Sequence, residues 1–390
     1  MRRAGLVHAP TLPAAPVSTW RDRWWATRDR LLASPRFQRW AAAFPLTRPI
    51  ARRQARALFD LCAGFVYAQV LYACIRLNLL DILAEEPQTA DRLAGRLGLS
   101  SEATERLLLA AHSLGLVQRR GQDRFGLGPL GAAARAQPGI ARMVEHHHLL
   151  YADLADPVAL LRGTDGQTAL RRYWAYAGAP EPARDLTPDR VAGYSALMAA
   201  SQAIIATEIL DSYDVRRHRC LLDVGGGEGA FLAAVAARAP SLRLILFDLP
   251  SVVTRATGRL GSRAETVGGD FRTDPLPAGA DIAALVRVVH DHDDDVALGI
   301  LKAVRRALPI GGTLLVAEPM SQTRGAEPIG DAYFGFYLLA MGSGRPRTPA
   351  ALATLLQAAG FERIRLHRTA TPMLVRTMSA RVSARISGNV

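Results

Sequence analysis

Two rhythms of apolar residues divide this chain. From Leu58 to about Gly128 they recur at helical spacing, with a turn at Glu86-Pro87, a short helix over Thr89–Leu97 stopped by Gly98, and a Ser101 cap before Glu102–Leu114. A hairpin pattern follows, Leu116-Val117-Gln118-Arg119-Arg120-Gly121-Gln122-Asp123-Arg124-Phe125-Gly126-Leu127. Helix, turn, helix and basic hairpin make the outline of a winged helix. Residues 129–190 read as mostly helical, broken at Asp156-Pro157, Gly163–Gly166 and Gly178–Pro188, and a helix is expected over Val191–Leu210. The rhythm then changes to short apolar runs at Cys220–Val224, Leu242–Phe247, Thr266–Val267, Ile282–Val289 and Thr313–Ala317, separated by helical stretches. That alternation predicts an α/β fold with a parallel, doubly wound sheet. Three segments result: an arm over 1–50, a helical winged-helix domain over 51–190 and a sheet domain over 191–390.

With 390 residues, 49% of them hydrophobic, the chain can bury a full core. Its three cysteines, Cys62, Cys74 and Cys220, form no CxxC pair and no Cys/His cluster, so neither a disulfide framework nor a zinc site is indicated and a reducing cytoplasm is expected. No secretory signal is recognisable after Met1-Arg2-Arg3, and the most apolar stretch, Leu58–Ile75, contains Asp60 and Gln69. It reads as a buried helix rather than a membrane span. The net charge of +13 is uneven, because residues 1–60 hold twelve arginines against three aspartates. In that arm Trp20, Trp24, Trp25, Phe37, Trp40 and Phe44 stand among the arginines, and prolines at 35, 45 and 49 are expected to break it into short helices. The mixture suits an anionic lipid surface, or an arm folded over a partner domain or subunit.

The chemistry concentrates around Asp223-Val224-Gly225-Gly226-Gly227-Glu228-Gly229, which follows an apolar strand and opens a helix. Glycines there let the backbone approach a ligand closely. Asp248 ends the next strand 23 residues beyond Gly225, where a carboxylate can accept from ribose hydroxyls, and Gly268-Gly269-Asp270-Phe271 offers a carboxylate for an adenine amino group and a ring to stack on the base. The Gly-Lys-Ser/Thr of a nucleotide triphosphate loop is missing. His146-His147-His148 tempts a metal reading, but adjacent helical residues point about 100° apart and no acidic motif completes a ligand set, so a pocket or interface role is expected instead.

Taken together, Leu221–Gly229, Phe247–Pro250, Gly268–Phe271, Arg287-Val288-Val289-His290-Asp291-His292-Asp293-Asp294 and Gly311–Pro319 resemble the plant-type and bacterial small-molecule O-methyltransferases. The resemblance implies a class I methyltransferase sheet domain that binds S-adenosylmethionine. It also implies that the winged helix serves dimerisation and the substrate pocket, so that no nucleic acid partner is expected. By the same resemblance Asp223, Gly225, Gly227, Asp248, Asp270 and Phe271 fall at the cofactor and His290 falls on the general base. Arg287 is the nearest equivalent of a basic residue at the cofactor. Glu318 is implied as the group orienting His290, with Asp291 as the alternative, and a second acidic partner is expected between Ser321 and Gly344, where spacing does not assign it to either Glu327 or Asp331. His292 departs from the pattern, which commonly has tryptophan there. An imidazole of ordinary pKa near 6.5 is largely unprotonated at neutral pH and can accept the proton of an attacking alcohol.

Over most of its length, including Arg21–Phe59 and Phe59–Tyr67, the chain is similar to the carotenoid O-methyltransferases of purple photosynthetic bacteria. That likeness implies methylation of the tertiary 1-hydroxyl of demethylspheroidene or hydroxyneurosporene. A homodimer is expected from the dimerisation role of the winged helix, and the arginine and aromatic composition of residues 1–50 makes peripheral contact with a membrane one of the two readings of the arm. A bacteriochlorophyll-pathway tetrapyrrole or a polyketide is the alternative substrate. A winged-helix DNA-binding regulator is the alternative class.

Overall fold

The computed structural model describes residues 19–164, 166–174, 202 and 204–384. Contacts separate the chain into two units, Met1–Val70 and Leu71–Val390. The first unit is helical. A capping box between Thr19 and Asp22 opens Trp20–Ala33, Ser34 caps Pro35–Ala43, and a long helix Arg48–Arg76 continues past the end of the unit. Pro35 and Pro45 fall at the breaks expected of them. Pro49 instead sits in the first turn of the long helix, where its missing N–H costs nothing. The expectation that Leu58–Ile75 is buried does not hold for the single chain. Within it only Cys74 is buried, whereas Leu61 is 82% and Phe65 67% exposed. Apolar periodicity shows that a face avoids water, but not whether the same chain supplies the cover.

The second unit begins with helices Leu79–Glu85, Ala90–Leu97 and Ser101–Ser113 and a small antiparallel sheet. Its strands β1 (Gln88–Thr89), β2 (Val117–Arg120) and β3 (Arg124–Leu127) lie in the order β1-β3-β2, so the expected hairpin forms wing strands. Ser100 caps the third helix and Ser101 is its first residue, one position from the expected cap. Helices Pro129–Arg135, Pro138–Asp153, Pro157–Arg162 and Ala169–Tyr173 follow. The breaks expected over Gly178–Pro188 and the start of the helix from Val191 lie outside the described residues; residues 204–212 are helical.

The main sheet has seven strands: β4 (Cys220–Val224), β5 (Arg243–Asp248), β6 (Glu265–Gly268), β7 (Ile282–Val286), β8 (Thr313–Glu318), β9 (Phe361–Leu366) and β10 (Arg376–Val382). Their order is β6-β5-β4-β7-β8-β10-β9. The first five are parallel, as expected, and β10 runs antiparallel to both its neighbours, so the sheet is mixed. Polar and charged residues alternate with apolar ones through β9 and β10, which hides both strands from a search for apolar runs.

Every residue of β4, β7 and β8 is buried, as strands covered on both faces require. One face packs Leu222, Ile245, Leu285 and Val316 against helices Asp294–Ala307 and Pro349–Ala358. The other packs Leu221, Leu244 and Leu246 against residues 204–212 and helices Ala230–Arg238 and Pro250–Leu260. Strand order reverses between β4 and β7, and the crevice beyond their carboxyl ends is where such folds place a ligand.

Candidate active site

The Gly-rich turn leaves β4 at that crevice. Gly225 has φ +70°, and a Cβ built on it would stand 2.9 Å from Val288 Cγ2, so a side chain there is excluded by conformation and by space. Asp248, at the end of β5, fixes the turn: Gly227 N and Leu249 N each donate to its carboxylate at 2.7 Å. Burial pushes the Asp248 carboxyl up to about 6 against the opposing pull of those two N–H groups. Asp223 is 1% exposed and neither of its carboxylate oxygens has a hydrogen-bond partner among the described residues. Burial, then the neighbouring Asp248 charge, push it up to about 8. Two adjacent carboxyls held above their usual range make a site that a cation would relieve.

Asp270 departs from the simple expectation of a carboxylate reserved for a base. Arg272 pairs with it at 2.9 Å and donates its backbone N–H as well. Burial raises the Asp270 carboxyl, and these Arg272 contacts outweigh it and hold the group below its ordinary value. Phe271 lies 3.6 Å from the space beside Gly225 and meets the His292 ring edge-on, with centroids 5.6 Å apart. His292, in the place of the expected tryptophan, is thus buried as an aromatic neighbour of Phe271.

The second cluster stands across the crevice. β7 ends at Val286, Arg287 takes φ +58°, and a short 3₁₀ turn Val289–Asp291 presents His290, 5% exposed. Glu318, at the end of β8, accepts from Val288 N at 3.2 Å and Val289 N at 2.8 Å, and its other oxygen pairs with His290 Nδ1. Asp291 takes the opposite nitrogen, with Oδ1 3.0 Å from His290 Nε2. Glu318 and Asp291 therefore hold different sides of one ring. The expectation of an unshifted imidazole fails for this reason. Burial pulls the His290 pKa down, but the Asp291 and Glu318 charges and hydrogen bonds outweigh it and raise it to about 10.

Sequence reasoning missed what holds this turn in place. Buried Arg347 donates to the Val289 carbonyl and the His292 carbonyl, each at 2.7 Å, and to Asp294 at 2.9 Å. Ser343 Oγ donates to the Asp291 carbonyl at 2.9 Å. Gly344, at φ +80°, passes so close that a Cβ would stand 2.1 Å from the His290 carbonyl. The Gly342-Ser343-Gly344 cluster is a visible turn signal, but in so arginine-rich a chain Arg347 carries none.

A cavity of about 20 Å³, room for about one water molecule, opens beside His290 and Asp291. Arg287, Met143, Trp174, Tyr333 and Tyr337 are among its walls. Tyr333 lies in a π-helical turn over Pro328–Phe334, an irregularity frequent at functional sites. The histidine run reaches this region from Pro138–Asp153: His146 Nε2 is hydrogen-bonded to the Tyr337 hydroxyl and His147 Nε2 to the Tyr333 hydroxyl, both at 2.8 Å. His148 Nδ1 turns back to its own helix, 2.8 Å from the Glu145 carbonyl. Glu327 and Asp331 are both exposed, and Asp331 accepts from Gln322 N at 3.1 Å.

Residues 151–362 match the O-methyltransferase domain and residues 59–134 the O-methyltransferase dimerisation domain. The chain belongs to the O-methyltransferase family. As an O-methyltransferase dependent on S-adenosylmethionine, it places its helix–wing region in the dimerisation domain, which sets aside the DNA-binding regulator. It is 44% identical to a demethylspheroidene O-methyltransferase of Cereibacter sphaeroides, over 90% of this chain and 93% of that protein. To the enzyme of the same name from Rhodobacter capsulatus it is 40% identical, over 94% of this chain and 91% of the other. Among solved structures, human N-acetylserotonin methyltransferase in complex with SAM superposes with a TM-score of 0.71 at 25% identity, over 85% of this chain and 98% of that one.

Proposed function

We propose that this O-methyltransferase methylates the tertiary 1-hydroxyl of an acyclic carotenoid of the demethylspheroidene or hydroxyneurosporene type. The observation that carries the reading is buried His290, set between Glu318 and Asp291 on a cavity whose other walls are mainly aromatic and methionine side chains. Such a lining suits an apolar substrate with one polar end. The identities of 44% and 40% along most of the chain support the substrate class.

When bound, S-adenosylmethionine supplies a methyl group on a sulfonium centre, open to attack by an oxygen nucleophile. The residues present fit it. Asp223 has unpartnered carboxylate oxygens for an ammonium group, and the crowding of Gly225 leaves backbone rather than side chain facing the ligand. Asp248 holds Gly227 and keeps lone pairs that would accept from ribose hydroxyls, while Phe271, with Asp270 beside it, would stack on the base. Arg287, on the wall of the reaction cavity, belongs to the reacting end.

In the reaction the hydroxyl must surrender its proton as it attacks, and His290 Nε2 is the atom placed to take it. Glu318 fixes the ring from Nδ1. Asp291 occupies Nε2 in this structure, so the hydroxyl displaces it, and the two carboxylates make the neutral ring a strong acceptor. Alignment of the oxygen with the methyl group is the larger contribution, up to about 7–11 kcal/mol in well-oriented cases.

We infer further that two copies associate through the dimerisation domain, burying the apolar residues that helix Arg48–Arg76 exposes. That helix is long and apolar enough to cross a membrane by length and composition. Its overlap with the dimerisation match favours a protein interface. Trp20, Trp24 and Trp25, all exposed, and Arg28, stacked 4.1 Å from the Trp25 ring centre, suit the headgroup layer of a membrane against which a cytoplasmic enzyme meets its pigment substrate. Turnover with hydroxylated acyclic carotenoids, porphyrins and phenols tests the reading. The carotenoids should give the highest kcat/KM, and preference for a phenol or a porphyrin would overturn it.

A further inference from the structure

A linear polyene cannot fold to fit a cavity with room for one water molecule. With its hydroxylated end at His290, the rest of such a substrate needs a straight way out. Behind the cavity lies an open groove of about 560 Å³, within the range of ligand sites, lined by Tyr72, Arg76, Arg142, His146, His148 and Tyr173 among others. One layer of rings divides the two spaces. Tyr337 and Trp174 face the cavity, His146 and Tyr173 face the groove. His146 bonds to the Tyr337 hydroxyl at 2.8 Å, and Trp174 Nε1 donates to the same hydroxyl at 2.9 Å. The His146 and Tyr173 centroids are 4.7 Å apart and those of Tyr173 and Trp174 5.5 Å.

We propose that this ring layer is a gate, and that it parts to let the polyene run from the reaction cavity into the outer groove, which makes the groove the determinant of chain-length specificity. The inference rests on the carotenoid reading above. The hydrogen bonds of His146 and Trp174 to the Tyr337 hydroxyl run between side chains, so the rings can turn while the helix backbones that carry them stay in place. Burial holds His146 down to about 4, so it stays neutral and its bond to Tyr337 is an exchangeable one between uncharged groups. Beyond the gate, the rings of Tyr72 and Tyr173 and the guanidinium planes of Arg76 and Arg142 offer flat surfaces on which a conjugated chain can lie.

The test compares two tertiary alcohols with the same hydroxylated end, a full-length acyclic carotenoid in detergent micelles and a monoterpene-length alcohol. His148→Trp, at an exposed position, narrows the groove without touching the cavity. Its kcat/KM for the carotenoid should fall at least about 10-fold further than for the short alcohol, the scale on which a filled pocket discriminates. Arg142→Ala, which removes one flat surface, should shift the ratio the same way by less. Equal effects on both alcohols, or none, would overturn the gate while leaving the carotenoid reading standing. If the wild-type enzyme methylates neither alcohol, the reading itself falls and the gate with it.

Discussion

The carboxyl ends of the main sheet's strands and the helices of residues 20–76 differ in how much of their surroundings one chain supplies. At the carboxyl ends of the strands Asp248 is answered by Gly227 and Leu249 and Glu318 by Val288, Val289 and His290, and Asp223 alone of these three carboxylates is left without a hydrogen-bond partner among the described residues. Along the helices Trp20, Leu61 and Phe65 stand exposed, at 74%, 82% and 67%. Asp248 and Glu318 thus find their partners within one chain. An apolar helical surface is only half of a structure, and its other half must be found by experiment.

The largest effect that could break this contrast belongs to the strand ends. His290→Ala should lower kcat by about 10²–10⁴, the usual range for a general base, with nearly unchanged affinity for S-adenosylmethionine in calorimetry. A loss of cofactor affinity as large as the loss of rate would mean that the two clusters act as one. Next comes Asp248→Ala. Hydrogen bonds to a charged group contribute about 1.5–3 kcal/mol, so cofactor binding should weaken roughly 10- to 150-fold, and an unchanged dissociation constant would place the ribose elsewhere.

A smaller change sharpens the account of His290. A general base acts from its unprotonated form, and a pKa raised to about 10 makes that form of His290 a minority at neutral pH. The rate should therefore climb with pH and level off only near that value. Asp291→Asn removes a negative charge that favours the proton, so the levelling should move to lower pH. A profile that does not move would show that Asp291 has no hold on the ring.

How much of this could be read beforehand follows the same division. The strands β4, β7 and β8 announced themselves as short, mainly apolar runs, and the Gly-rich turn and Asp248 by their distance apart. The proton state of His290 was not legible, because it depends on carboxylates on both ring nitrogens and only the fold brings Glu318 to one of them. Arg347 escaped notice because its role is to satisfy carbonyls, which leave no mark in a side-chain pattern. The strands β9 and β10 were hidden by their alternating polar residues. The helix over 58–75 was legible as a helix but not as an exposed one.

The smallest expected effect lies in the arm. Deleting residues 1–46, which leaves helix Arg48–Arg76 whole, should abolish binding to anionic vesicles while turnover of detergent-solubilised substrate persists. Each arginine near such a surface contributes about 1 kcal/mol, and binding by the full chain should weaken with salt as the Debye length falls from about 10 Å at 0.1 M to about 3 Å at 1 M. If the shortened protein aggregates or loses its dimer, the arm is structural and the membrane role is withdrawn.

One measurement reaches the central claim directly. The enzyme is incubated with methyl-labelled S-adenosylmethionine and a 1-hydroxylated acyclic carotenoid, and the position of the label in the product is determined for the wild type and for His290→Ala. The expected product is a labelled methyl ether at the tertiary carbon, formed rapidly by the wild type and about 10²–10⁴ times more slowly by the variant. Label on carbon, no transfer at all, or equal rates for the two proteins would contradict it.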